Sequence, residues 1–166
     1  GVGNVEGSYQ KEHLVPFGEY LPLESVLRGA IDFFDLPMST FTKGEHEQTP
    51  MQAAGINIGN AICYEIIYPQ LVARRAQDSG VIMTVSNDTW FGASIGPHQH
   101  LQMARLRALE NGRYVVRATS NGITAIIDPE GHIVERAPQF ETTLITGEFY
   151  AMEGLTPFTR TGSWPA

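Results

Sequence analysis

Cysteine is nearly absent. One residue, Cys63, occurs in 166, so no disulfide forms within the chain and no zinc site can rest on several thiolates. No apolar run approaches the roughly 18 residues needed to cross a bilayer. The first eight residues are small, polar and acidic, without the basic start and apolar stretch of a signal peptide. Positive charge is also scarce. Eleven Lys and Arg against eighteen Asp and Glu leave a formal charge of -7, which repels phosphate backbones and argues against a nucleic-acid partner. Repeats and low-complexity tracts are missing as well. What is present is 42% hydrophobic and 17% charged, a globular balance with enough residues for one sizeable core. Both ends, Gly1-Val2-Gly3-Asn4 and Trp164-Pro165-Ala166, are expected to be cuts through a longer protein.

Periodicity supplies the elements. Residues 9–15 are predicted extended, with Pro16 and Gly18 turning the chain. Residues 21–34 suit a short helix, and 38–50 a polar loop. Residues 54–63 alternate through Ile56 and Ile58 as a strand ending at the cysteine. A helix is expected over 69–79 and a buried strand over 81–86. A longer helix over 97–111 would bury Leu101, Ala104, Ala108 and Leu109 and stop at Gly112. Strands are predicted at 114–118 and 123–127, followed by a tight turn at Asp128-Pro129-Glu130-Gly131. Further strands are predicted at 132–136 and 143–149, with an irregular tail after Tyr150. Helices alternating with strands early, and hairpins late, indicate an α/β layered fold.

The chemistry centres on the lone thiol. At a strand-to-helix turn, the backbone N–H groups of Tyr64 and Glu65 can face an oxyanion beside the Cys63 sulfur. The helix N-terminus also favours thiolate over thiol. A buried, inert cysteine is the plain alternative. Lys11 lies in an apolar stretch where an ammonium is costly to bury unpaired. Glu19, just past the Pro16-Phe17-Gly18 bend, is the carboxylate placed to pair with it. Solvated positions are the alternative for both.

The runs Lys11-Glu12-His13-Leu14-Val15-Pro16-Phe17-Gly18-Glu19-Tyr20, Cys63-Tyr64-Glu65 and Asn87-Asp88-Thr89-Trp90-Phe91-Gly92 resemble the carbon-nitrogen hydrolase (nitrilase) superfamily. The likeness runs from about residue 9 to residue 164. The pattern is most similar to the branch that acylates bacterial lipoproteins, and Gly162-Ser163-Trp164-Pro165 fits the run that precedes a final membrane helix there. The resemblance implies a four-layer αββα sandwich whose N-terminal part is missing from this chain. Residues 1–150 would be the C-terminal part of the hydrolase domain, and 151–166 a tail leading toward a membrane helix.

It also implies a Glu–Lys–Cys triad in which Lys11 is the lysine and Cys63 the nucleophile. Glu19 matches a further essential carboxylate, and Tyr64 and Glu65 match the residues after the nucleophile, at the oxyanion or substrate. Trp90, with Phe91, is expected to line the pocket. No residue before Lys11 fits the general base, Glu6 being too close, so the fragment is expected to be inactive alone. The implied partners are a phospholipid acyl donor, an apolipoprotein acceptor and a membrane reached through other segments, with neither metal nor cofactor. The parent protein would lie in the bacterial inner membrane, with this domain periplasmic. A soluble amidase of the same superfamily and a non-catalytic domain that keeps the fold remain as alternatives.

Other features point less far. Phe33, Phe34, Leu36, Met38 and Phe41 would either meet lipid or pack a loop onto the core. His98 and His100 read as a wet helix end rather than metal ligands. Arg105, Arg107, Arg113 and Arg117 read as a solvated or salt-bridged face. Gly55 and Gly59 lack the spacing of a nucleotide-binding loop.

Overall fold

The computed structural model describes residues 7–16, 18–20 and 41–163. The predicted helix at 21–34 and the aromatic pair Phe33 and Phe34, with Leu36 and Met38, lie outside the described residues, as do the chain's first six residues and its last three.

Six strands form one mixed sheet in sequence order: β1 (Met51–Ala53), β2 (Ile56–Ile62), β3 (Val81–Asn87), β4 (Tyr114–Ser120), β5 (Ala125–Ile127) and β6 (Ile133–Arg136). β2, β3 and β4 are parallel, while the outer pairings are antiparallel. The β1–β2 hairpin was not foreseen. Ala54 and Gly55 turn it with φ of 51° and 78°, the positive pair of a two-residue turn, so Ala54 belongs to the turn and not to the strand.

Parallel neighbours need crossovers, and two helices provide them: α1 (Pro69–Gln77) between β2 and β3, and α2 (Gly96–Asn111) between β3 and β4. Each begins with a proline in its first turn, where the missing N–H costs nothing. Gly112 ends α2 in the left-handed region at φ 57°. Both helices cover the same sheet face. Leu71, Val72 and Ala76 of α1 and Leu101, Ala104 and Ala108 of α2 form one core with Ala61, Ile82, Val115 and Ile127. Leu109, expected inside, is instead 54% exposed. Its neighbour Ala108 already points at the sheet, and one residue along a helix turns the side chain by about 100°.

Three further expectations change. Residues 9–15 form no ladder strand; Gln48 takes the place of a neighbouring strand, its Oε1 accepting the Gln10 N–H and its Nε2 donating to the Gln10 carbonyl. Residues 143–149 also join no ladder, and Leu144 is 85% exposed. The segment after Tyr150 is more ordered than an irregular tail. It holds α3 (Pro157–Thr161), capped by Thr156, whose Oγ1 accepts the Thr159 N–H. Thr156 donates to the Glu110 carbonyl, and Thr159 Oγ1 donates to Asn111 Oδ1, docking α3 on α2. No helix among the described residues is long and apolar enough to cross a membrane.

Candidate active site

Because β2, β3 and β4 run the same way, their carboxyl ends open side by side, the usual place for a site in such sheets. Asn87 and Ser120 are paired there, with Ile62 opposite Val85, two residues short of Asn87. A cavity of about 1300 Å³ lies over these ends. Its lining includes Lys11, Glu19, Cys63, Tyr64, Trp90 and His100.

Cys63 follows β2 directly and opens a short 3₁₀ turn, Cys63–Ile67. Its φ is 53°. A side chain with a Cβ in that region costs about 1–2 kcal/mol, so surrounding bonds must hold it. On the N-terminal side the bond comes from Glu65, whose Oε2 accepts the Ile62 N–H at 2.7 Å, half of a capping box.

Glu65 does more than this. It is fully buried, and it also accepts the N–H groups of Glu12 and His13 and the hydroxyl of Tyr9. Burial and this carboxylate together push the Tyr9 phenol well above its usual range. The expectation that Glu65 meets oxyanion or substrate is therefore corrected for its side chain. Its carboxylate is spent on backbone donors from both sides and ties the Lys11 segment to the Cys63 turn, and it is not among the residues lining the cavity.

Lys11 donates to both carboxylate oxygens of Glu19, at 2.6 and 2.7 Å, and Glu19 Oε2 also accepts the Val15 N–H. The bend places the pair: Gly18 and Glu19 both donate to the Val15 carbonyl. Lys11 retains 11% side-chain exposure, on the cavity side. Tyr64 lines the cavity and packs edge-on against Tyr68. Trp90 stands at the rim, 85% exposed.

A second cluster lies beneath. Asp88, completely buried, accepts from Ser86 Oγ at 2.6 Å and from the Arg117 guanidinium at 2.6 Å, and its Oδ1 is 3.0 Å from His100 Nδ1. His100 Nε2 is 3.2 Å from the carbonyl oxygen of Cys63. Burial alone would raise the Asp88 carboxyl, but bonds from His100 and Ser86 and the charge of Arg117 outweigh it and hold it below its usual value. Burial pulls the Arg117 guanidinium down, and Asp88 partly restores it. Gly122 completes the packing, since a Cβ there would overlap the Asp88 carboxyl.

Two surface expectations change here, the wet helix end for His100 and the solvated alternative for three arginines, whereas the salt-bridged alternative holds for Arg107 and Arg117. His100 is 6% exposed and is no wet helix end. Arg107, Arg113 and Arg117 are buried: Arg107 pairs with Glu110, Arg113 donates to the Ser79 and Gly154 carbonyls, and Arg117 binds Asp88. One sequence signal could have found Arg117. It alternates with Val115 on an apolar strand, so it occupies an inward position that demands an anionic partner.

A sequence profile described as carbon-nitrogen hydrolase matches residues 2–153. The chain belongs to the carbon-nitrogen hydrolase family. Among curated relatives, the apolipoprotein N-acyltransferase of Pseudomonas paraeruginosa is 55% identical over 99% of this chain. That of Vibrio parahaemolyticus is 48% identical over 95%. The chain spans about a third of each, 32% and 31% respectively. Of solved structures, the Caenorhabditis elegans NitFhit protein superposes with a TM-score of 0.61 at 21% identity, covering 81% of this chain and 32% of that one. The carbon-nitrogen hydrolase fold follows, α/β in class. The described residues contribute one mixed sheet and the helical layer over one of its faces.

Proposed function

We propose that this carbon-nitrogen hydrolase domain carries out acyl transfer from a phospholipid to the N-terminal amine of a diacylglyceryl lipoprotein, through a thioester on Cys63. The observation that carries the reading is the convergence of Cys63 and the Lys11–Glu19 pair on one cavity at the strand ends. Identity of 55% to proteins named apolipoprotein N-acyltransferase supports this choice of donor and acceptor.

In the first half-reaction the Cys63 sulfur attacks the ester carbonyl carbon of the donor, while a carboxylate base takes the thiol proton. Among the described residues the cavity-lining carboxylate is Glu19, and both its oxygens are committed to Lys11. The base is therefore assigned to a carboxylate outside the described residues, and acyl transfer is proposed to need it. The tetrahedral oxyanion is met by the Lys11 ammonium and the Tyr64 N–H. Its collapse breaks the ester C–O bond, and the lysophospholipid alkoxide leaves with the proton from the base. In the second half-reaction the acceptor amine attacks the thioester, gives a proton to the base, and departs as the amide, which regenerates the thiol.

Trp90, Phe91 and Phe41 present exposed aromatic surface where the cavity opens. Such groups suit the acyl chains of a lipid substrate, and we place the whole protein at the bacterial inner membrane with this domain on the periplasmic side. The test is intact-mass spectrometry of the whole protein after incubation with phosphatidylethanolamine, beside Cys63→Ala. A hydroxylamine-labile acyl adduct absent from the variant is expected. Turnover retained by Cys63→Ala would sink the mechanism, and hydrolysis of simple amides without an adduct would favour a soluble amidase.

A further inference from the structure

We infer that His100 is a positioning residue for the acyl-transfer step: held by the buried Asp88–Arg117 pair, it fixes the Cys63–Tyr64 peptide and so aims the oxyanion-binding N–H of Tyr64. The inference rests on the reading of Cys63 as nucleophile and names a residue that acts on it only through the backbone.

Peptide geometry makes the connection. The Cys63 carbonyl and the Tyr64 N–H belong to one planar trans unit, so they point in opposite directions. A donor clamped on the carbonyl therefore sets where the N–H is aimed. The carbonyl oxygen can only accept, so the His100 nitrogen 3.2 Å away, Nε2, carries a proton toward it. Hydrogen bonding at the carbonyl also polarises the peptide and strengthens its N–H as a donor.

The clamp is rigid because its other end is buried. His100 Nδ1 sits 3.0 Å from Asp88 Oδ1 and 3.1 Å from an Arg117 guanidinium nitrogen. Asp88 is held in turn by Ser86 Oγ and Arg117, and by its own N–H, which donates to the Ser120 carbonyl. Phe91 packs edge-on against the imidazole, with ring centroids 6.3 Å apart. The need for a clamp is local. Cys63 lies at φ 53°, a conformation that relaxes unless its flanking peptides are fixed on both sides. Glu65 fixes the peptide before it through the Ile62 N–H, and His100 fixes the one after. His100 is the side chain, among the described residues, that bonds the Cys63 carbonyl, from outside the 3₁₀ turn that the residue opens.

Two near-isosteric variants of the whole protein separate positioning from mere packing. A glutamine amide nitrogen reaches the place of Nε2, whereas an asparagine amide nitrogen reaches only the place of Nδ1. His100→Gln should therefore keep most of kcat. His100→Asn and His100→Leu should lose roughly 10- to 100-fold in kcat, the scale of a misplacement of about 1 Å, with KM changed by no more than about twofold. If His100→Leu does not fold, the Gln and Asn pair still decides, because the two polar variants differ in how far the amide nitrogen reaches. Equal kcat in Gln and Asn variants, or a loss confined to KM, overturns the role of His100. Cys63→Ala is run in parallel: if it retains turnover, the nucleophile itself is wrong, whereas its inactivity beside an indifferent His100 removes only this inference.

Discussion

Both carboxylate oxygens of Glu19 hold the Lys11 ammonium, at 2.6 and 2.7 Å, and one of them also accepts the Val15 N–H. Lysine, carboxylate and bend therefore form a closed unit facing the cavity. Glu19→Ala frees a long, flexible ammonium from the place where charge develops, and acyl transfer should fall by about 10²–10³, the cost of losing one oxyanion donor. Glu19→Gln keeps one accepting oxygen and should fall in between. Steady-state rates of the whole protein check this; an alanine variant within a few-fold of wild type would take Glu19 out of the site.

Glu65 accepts from four donors while fully buried. Glu65→Gln turns one accepting oxygen into an N–H₂ group that faces N–H donors, and each buried bond lost this way costs about 1–3 kcal/mol. The expected outcome is local loosening at both ends of the strap. Hydrogen exchange read by mass spectrometry should speed up at the amides of Glu12, His13 and Ile62, and exchange unchanged there would contradict the bracing role.

The Asp88 carboxyl lies below its usual value in the folded protein because His100, Ser86 and Arg117 together outweigh its burial. A depressed carboxylate contributes stability above the unfolded value and loses it as pH falls through the folded one. Thermal midpoints should therefore drop as pH is taken from neutral to below the ordinary carboxylate range. In Asp88→Asn the neutral-pH midpoint should already be lower and the acid-dependent part smaller. Parallel pH profiles for the two proteins would rule out Asp88 as a source of acid sensitivity.

Gly122 approaches the Asp88 carboxyl so closely that a Cβ would overlap it. Gly122→Ala should destabilise by about 1–3 kcal/mol, as overpacking does. Paired with Asp88→Asn the two losses should fail to add, because both act on one contact. Additivity in a double-mutant cycle of thermal unfolding would place the glycine's role elsewhere.

Trp90 is 85% exposed at the cavity rim. Trp90→Ala should leave stability within about 0.5 kcal/mol, as surface changes do. For a phospholipid donor, KM should rise severalfold, since the indole is offered as a contact for the acyl chain. A lower melting temperature with an unchanged KM would make Trp90 a structural residue.

Much of the architecture was legible in the chain. The helix α1 and the strand β2 carry apolar periodicity, β3 is a buried apolar run, Leu101, Ala104 and Ala108 line one side of α2, and the prolines and Gly112 mark the helix limits. Proximity of Lys11 to Glu19 followed from the bend between them, a local feature of eight residues. Two segments expected to be extended, 9–15 and 143–149, join no ladder, because a strand also needs a neighbour. In the first case a side chain, Gln48, occupies the neighbour's place.

The sequence by itself determined the family, the nucleophile candidate and the order of the α/β units, because these depend on residue type and short spacing. Only the tertiary structure decided that the Glu65 carboxylate braces backbone donors from both sides, and that His100, Asp88 and Arg117 form one buried cluster. Those relationships join residues up to 56 positions apart. The same side chains would read as solvated until the sheet register brings them together in a place where water is excluded and every charge must find a partner.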